Sequence, residues 1–166
     1  MHPELEHYLH MIEDLRGQVR DLIAGLPAEA LNWRPLPEAG DHATNSLAVM
    51  AAHVAGAEYF WIAEVIGGED ATRDRPAEFE AVVQGSAPLL QRLDQVAAET
   101  RQVFSRLAPA DLDGTREVWD KPVTVRWGIL HVIDHTALHL GHMQITYQLW
   151  MGGASKPSPR WFQRLP

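Results

Sequence analysis

The chain has 166 residues, a length that fits one domain, and 22 Asp and Glu against 14 Lys and Arg give a formal net charge of −8. That acidity argues against a nucleic-acid partner, which needs a dense basic patch, and apolar and charged fractions of 46% and 22% argue against wholesale disorder. The absence of cysteine excludes disulfides, a catalytic thiol and thiolate metal ligands, and fits a reducing, cytoplasmic setting.

Charged residues Glu4, Glu6, Glu13, Asp14, Arg16 and Arg20 interrupt any signal-peptide core. No uninterrupted run of about 18 apolar residues occurs, so no membrane span is expected.

The first helix is predicted from about Pro3 to Ala24. Leu5, Tyr8, Leu9, Ile12, Leu15, Val19, Leu22 and Ile23 recur at three- and four-residue steps, which marks one buried stripe. Pro3 suits a first turn, and Gly25 with Pro27 is a stop signal. Residues 25–45 form a long Pro- and Gly-rich connection, with a short helical turn at 28–32. The second helix is predicted from about Ser46 to Ile66, capped by Asn45 or Ser46 and ended by Gly67-Gly68.

Residues 69–84 read as a polar surface connection with one turn of helix, and the acids around Glu78 and Glu80 read as a solvated face. The third helix is predicted from about Pro88 to Leu107, with Leu89, Leu90, Leu93, Val96, Ala97, Val103, Phe104 and Leu107 as its stripe. Residues 108–123 form another long connection without strand alternation. Thr124 caps the fourth helix, which runs to about Met151 before Gly152-Gly153. The tail from 154 to 166 is expected to lie extended on the surface, with Lys156, Arg160 and Arg164 solvated. The fold class expected is all-α: a single-domain four-helix bundle with long connections, not necessarily up-and-down.

The chemistry is concentrated in the fourth helix, HVIDHTALHLGHMQITYQLW. At about 100° per residue, His131, His135, His139 and His142 fall near 0°, 40°, 80° and 20°. They share a face with Trp127, Ile145 and Leu149, and that face is expected to point into the bundle. Imidazoles at i and i+4 can grip one ion from a single helix, and His53 on the second helix is the best third ligand. It shares a face with Met50, Ala57, Phe60 and Glu64. A hydrogen-bonded histidine network and a pH sensor are the alternatives, since so many imidazoles buried without partners would cost several kcal/mol.

Other motifs are absent. His135 is followed by Thr136, so the zinc-protease pattern fails. There is no phosphate-binding glycine loop and no nucleophile elbow. No Glu-x-x-His pair lies in the helices, against a di-iron carboxylate centre. Of the six tryptophans, Trp61, Trp127 and Trp150 are expected in the core, and Trp33 and Trp161 at a pocket edge or dimer contact.

Four stretches in order resemble the DinB-like (DinB/YfiT) superfamily: GLPAEALNWRPLPEAGDHATNSLAVMAAHVAGAEYFWI, the acidic Leu-rich third helix ending LAPADLD, VTVRWGILHV, and HVIDHTALHLGH. The last is similar to an H-x-x-x-H-x-G-Q signature with His142 in place of Gln. The likeness spans about residues 1–153. It implies a four-helix bundle, often a homodimer, with a divalent metal held by His53, His135 and His139. His131 and His142 match outer-shell or pocket positions.

Zinc or nickel is the first expectation for the ion, with iron or manganese as further options. An open coordination position would admit water or a thiolate and lower its pKa.

Two functions follow from the resemblance. One is a metal-dependent enzyme of the thiol S-transferase or hydrolase type, acting on a small molecule with a low-molecular-weight thiol as co-substrate. Its general base is not identified among Glu64, Tyr8, His7 and His142. The other is a non-enzymatic bundle that binds a metal or a small molecule.

Overall fold

Pro3 and the acidic residues Glu4 and Glu6 begin α1 (Pro3–Ile23), whose stripe of Leu5, Ile12, Val19, Leu22 and Ile23 is buried as its period predicts. The computed structural model describes residues 1–36 and 44–153. The tail expected to lie on the surface, with Lys156, Arg160, Trp161 and Arg164, is outside the described residues. The helical turn expected after α1 is α2 (Ala28–Asn32).

Ser46 caps the second rod: its Oγ accepts the Val49 N–H at 3.2 Å. This rod begins as α3 (Leu47–Glu58) and continues without a break as a π-helical segment, Tyr59–Ile66. A π segment inside a helix is rare and frequently marks a functional region. Gly67 follows it because a Cβ there would meet the Ala63 carbonyl oxygen and the Val103 side chain, both at 2.7 Å.

Leu47–Ile66 is long and apolar enough to cross a membrane, yet 78% of its 18-residue apolar window is buried by the other helices. Its apolar surface is therefore used up in the core.

Asp74 caps the short α4 (Arg75–Phe79), its Oδ1 accepting the Ala77 N–H at 3.1 Å. Then come α5 (Ala87–Arg106) and a 3-10 turn, Pro109–Asp113. The connection 108–123 is not free of strands. It contains an antiparallel hairpin, β1 (Thr115–Val118) paired with β2 (Lys121–Thr124). Trp119 and Asp120 form its tight turn at φ of 50° and 61°. Such left-handed pairs are usually Asn-Gly or Asp-Gly, so a Trp-Asp turn gives little hairpin signal. Trp119 stacks on Phe60 with ring centres 5.7 Å apart and planes 14° apart, which supports the unusual backbone. Thr124 ends the hairpin and caps α6 (Val125–Trp150), its Oγ1 accepting the Trp127 N–H at 3.1 Å.

The chain is mostly helical, and its four long rods pack through two apolar clusters. One gathers Val19, Ile23, Leu47, Ala51, Leu93 and Met143. The other gathers Leu5, Ile12, Ile62, Phe104, Ile129 and Val132. Side-chain pairings fix the directions. Arg126 at the start of α6 binds Glu4 and Tyr8 at the start of α1, so α1 and α6 run the same way. Glu58 meets Thr100, and Gly67 lies against Val103, so the second rod and α5 also run the same way. The topology is therefore not simple up-and-down. Only the connection between the second rod and α5, residues 67–86, crosses from one end to the other, because those two run the same way.

Candidate metal centre

The core face of α6 carries Ile129, Val132, Thr136, Leu140 and Met143. The histidine arc lies about 100° around the helix from it, counted at 100° per residue. The expectation that this arc points into the bundle is therefore corrected: it faces the seam beside α3 and opens to one side. Ile145 and Leu149 on the same arc are 56% and 55% exposed. Trp127, expected in the core, is 48% exposed, and Trp150 is 36% exposed. The physical reason is that Val and Leu residues on the neighbouring face already fill the core side of α6. Trp61 is buried as expected.

Across that seam α3 presents His53, itself 8% exposed. His53, His135 and His139 converge with one nitrogen of each within 4.8 Å of the others. The ring centres of His53 lie 5.0 Å from both His135 and His139, which are 4.4 Å apart. The Nε2 atoms of His53 and His135 are separated by 3.2 Å. Two nitrogens on one tetrahedral ion at about 2.1 Å would lie roughly 3.4 Å apart, so the spacing fits.

His131 and His142 fall outside this group. His131 stacks on Trp127 at 4.8 Å with planes 6° apart, and meets Trp61 edge-on at 5.1 Å. His142 lies 5.8 Å from His139, ring centre to ring centre, at the mouth of a cleft.

The electrostatics favour neutral imidazoles. Burial, reinforced by His139, His53 and His131, lowers His135 to about 3. Burial with His53 and His142 lowers His139 to about 4. Burial also lowers His131. The Nδ1 atoms of His135 and His139 are buried with no hydrogen-bond partner among the described residues. Neutral imidazoles with converging nitrogens and unsatisfied ring atoms are a donor set that fits a divalent cation.

Glu78 corrects a further expectation. It is not on a solvated face: it is 8% exposed, and its Oε2 accepts the His53 Nδ1–H at 2.8 Å. Arg73 donates to both carboxylate oxygens, from Nε to Oε1 at 2.6 Å and from Nη2 to Oε2 at 2.8 Å. Burial raises the Glu78 carboxyl, but the bonds from Arg73 and His53 outweigh it and hold the group below its ordinary range. Phe79, next on α4, packs on the His53 ring with centres 4.9 Å apart. The one turn of helix expected within residues 69–84 is α4. Nothing in the sequence signalled which way Glu78 would turn.

The base candidates separate. Glu64 Oε1 accepts the backbone N–H groups of Thr72 and Arg73 at 2.8 and 2.9 Å. Tyr8 is held by Glu4 and Arg126. His7 is exposed on α1. His142 alone of the four borders the histidine group. The cleft it lines, of roughly 770 Å³, is walled by Trp33, Leu36, Met50, His139, Ile145 and Leu149 among others. Trp33 meets Trp150 with ring centres 5.8 Å apart. Trp33, expected at a pocket edge or a dimer contact, lines this cleft.

A long-helix fold with a three-histidine group at a helix seam defines a class of helical proteins equipped to hold a divalent metal. The comparisons narrow that class. The family model described as mycothiol-S-transferase matches residues 7–152, and the chain belongs to that DinB-like family. A DinB-like protein from Bacillus cereus has a similar structure, with TM-score 0.73 and 15% identity over 92% of this chain and 96% of that one. A conserved protein from Enterococcus faecalis is similar at TM-score 0.69 and 17% identity, over 89% of this chain and 96% of that one. No curated protein matches the chain.

Proposed function

We propose that this chain is a metal-dependent thiol S-transferase, with His53, His135 and His139 as the metal ligands. The observation that carries the reading is the convergence of three imidazoles, with burial holding His135 and His139 neutral, beside an open cleft. Membership of the mycothiol-S-transferase family supports a low-molecular-weight thiol as co-substrate. A divalent ion bound there would act as a Lewis acid that lowers the pKa of a thiol or water ligand. Zinc or nickel suits three imidazoles best, and iron or manganese is also compatible.

The remaining work falls to the protein. Trp33, Met50, Ile145 and Leu149 form an apolar wall that would orient an electrophile beside His139. His142, at the cleft mouth, is placed to relay the thiol proton to solvent. In the transfer the thiol sulfur bonds to the electrophilic carbon, the leaving group departs with its bonding pair, and the proton goes to water. The chain carries no cysteine to compete with a thiol substrate.

We read the four long rods as a four-helix bundle forming one domain. We further propose a cytoplasmic homodimer that acts without nucleic acid or membrane. The exposed row Leu130, Leu138, Ile145 and Leu149 on α6 supports self-association.

The test is metal analysis of tag-free protein together with turnover of a thiol and chlorodinitrobenzene. Near-stoichiometric metal with thiol-dependent turnover is expected. Metal without turnover against any thiol, and without hydrolysis, would favour a non-enzymatic metal-binding bundle instead.

A further inference from the structure

His53 reaches the histidine group through Nε2, which requires its proton to sit on Nδ1. Two linked features impose that arrangement. The first is the Glu78 carboxylate, which accepts from Nδ1 at 2.8 Å and is itself clamped by Arg73. The clamp has its own support, because Glu64 holds the Thr72 and Arg73 backbone and the Arg73 guanidinium lies 5.6 Å from the Phe60 ring centre. The second is Gly56, three residues after His53 on α3. A Cβ at Gly56 would lie 1.9 Å from Glu78 Oε1, 2.6 Å from its Cδ and 3.3 Å from Arg73 Nε. The carboxylate therefore occupies the space that any side chain at position 56 would fill.

We propose that Glu78, clamped by Arg73 and admitted by the bare backbone of Gly56, is a positioning residue that holds His53 with Nε2 turned toward His135 and His139. Its effect on metal affinity rests on the metal reading above; its effect on the His53 tautomer does not. Partners of this kind fix ring orientation and raise ligand basicity, and removing one typically weakens metal binding about 10–100-fold.

Gly56 makes the proposal sharply testable. Alanine normally favours a helix over glycine. Here Gly56→Ala collides with the end of a flexible side chain, so Glu78 swings away while the fold survives. The experiment measures zinc affinity by competition with a chromophoric chelator for the wild type, Gly56→Ala, Glu78→Ala and Glu78→Gln. Nitrogen-15 NMR of the metal-free proteins reads the His53 tautomer, and circular dichroism checks folding.

Folded Gly56→Ala and Glu78→Ala proteins are expected to lose about 10–100-fold in zinc affinity and the single Nδ1–H tautomer. Their combination should be no weaker than Glu78→Ala alone, because both act through one contact. Glu78→Gln, whose amide oxygen still accepts from Nδ1, should keep the tautomer and fall between. Wild-type affinity in Gly56→Ala, multiplied losses in the double variant, or an unchanged tautomer in Glu78→Ala would each overturn the proposal. If the wild type takes up no zinc, the metal reading fails and the tautomer alone decides the role of Glu78.

Discussion

His53 and His135 stand 82 residues apart in the chain, yet their Nε2 atoms lie 3.2 Å from one another across the seam between α3 and α6. Two imidazole nitrogens at that distance either share one N–H in a hydrogen bond or face a common cation. The first prediction concerns the cation. His53→Ala, His135→Ala and His139→Ala should each abolish near-stoichiometric metal binding. Metal at about one hundred times its dissociation constant would stabilise the wild type by about 2.7 kcal/mol, raising Tm by roughly 5–10 °C over chelator-treated protein. The variants should show no such rise in a thermal scan.

Acid should destabilise the metal-free protein in a defined window. His135 and His139 are lowered to about 3 and about 4 from 6.5, so below about pH 6.5 the unfolded chain binds more protons than the folded one. Stability is therefore whole above that value and lost as pH falls toward 4 and then 3. Glu78, also lowered, adds a loss below about 4.5. The Tm of chelator-treated wild type should fall between pH 7 and pH 5, and a His135→Gln, His139→Gln double variant should fall distinctly less.

A buried ion pair lies on the opposite side of the second rod. Glu58 is 3% exposed and accepts from Arg16 and, at 2.6 Å, from Thr100 Oγ1. Removing one partner leaves the other charge buried, so Glu58→Ala should cost about 3–5 kcal/mol in urea unfolding. Replacing both, as Arg16→Met with Glu58→Leu, should recover most of that loss. A double variant as unstable as the single one would mean the pair is not the source.

The cleft should report on the electrophile rather than the metal. Trp33→Ala removes part of its apolar wall. Metal content and kcat should stay within about twofold while KM for an aromatic electrophile rises several-fold, the pattern of lost uniform binding. Steady-state kinetics with metal analysis distinguishes this from a fall in kcat.

Self-association can be checked directly. Leu138, 57% exposed on the outer face of α6, should drive monomer formation when changed to Glu if that row is the contact. Light scattering after size exclusion should show half the wild-type mass, with the helical signal unchanged.

Much of this is legible in the chain alone. The apolar period of α1 and α5, the Ser46 and Thr124 caps and the glycine stops bound the long helices to within a residue or two, because these are local preferences of the backbone. The i, i+4 spacing of His135 and His139 is equally local, since helix geometry alone puts them on one face. The hairpin escaped because Trp119-Asp120 adopts a left-handed turn stabilised by Phe60, 59 residues earlier, rather than by the turn residues themselves.

The sequence by itself brought forward the histidine stripe as the candidate donor set, since without cysteine few other side chains could hold a metal. Only the tertiary structure decided which side of α6 that stripe occupies, because the apolar residues elsewhere on the helix compete for the core and win. It alone turned Glu78 from an acidic surface residue into the partner of His53. That outcome depends on Arg73 neutralising the charge and on the space at Gly56, and a contact among three separate segments leaves no periodic trace in the chain.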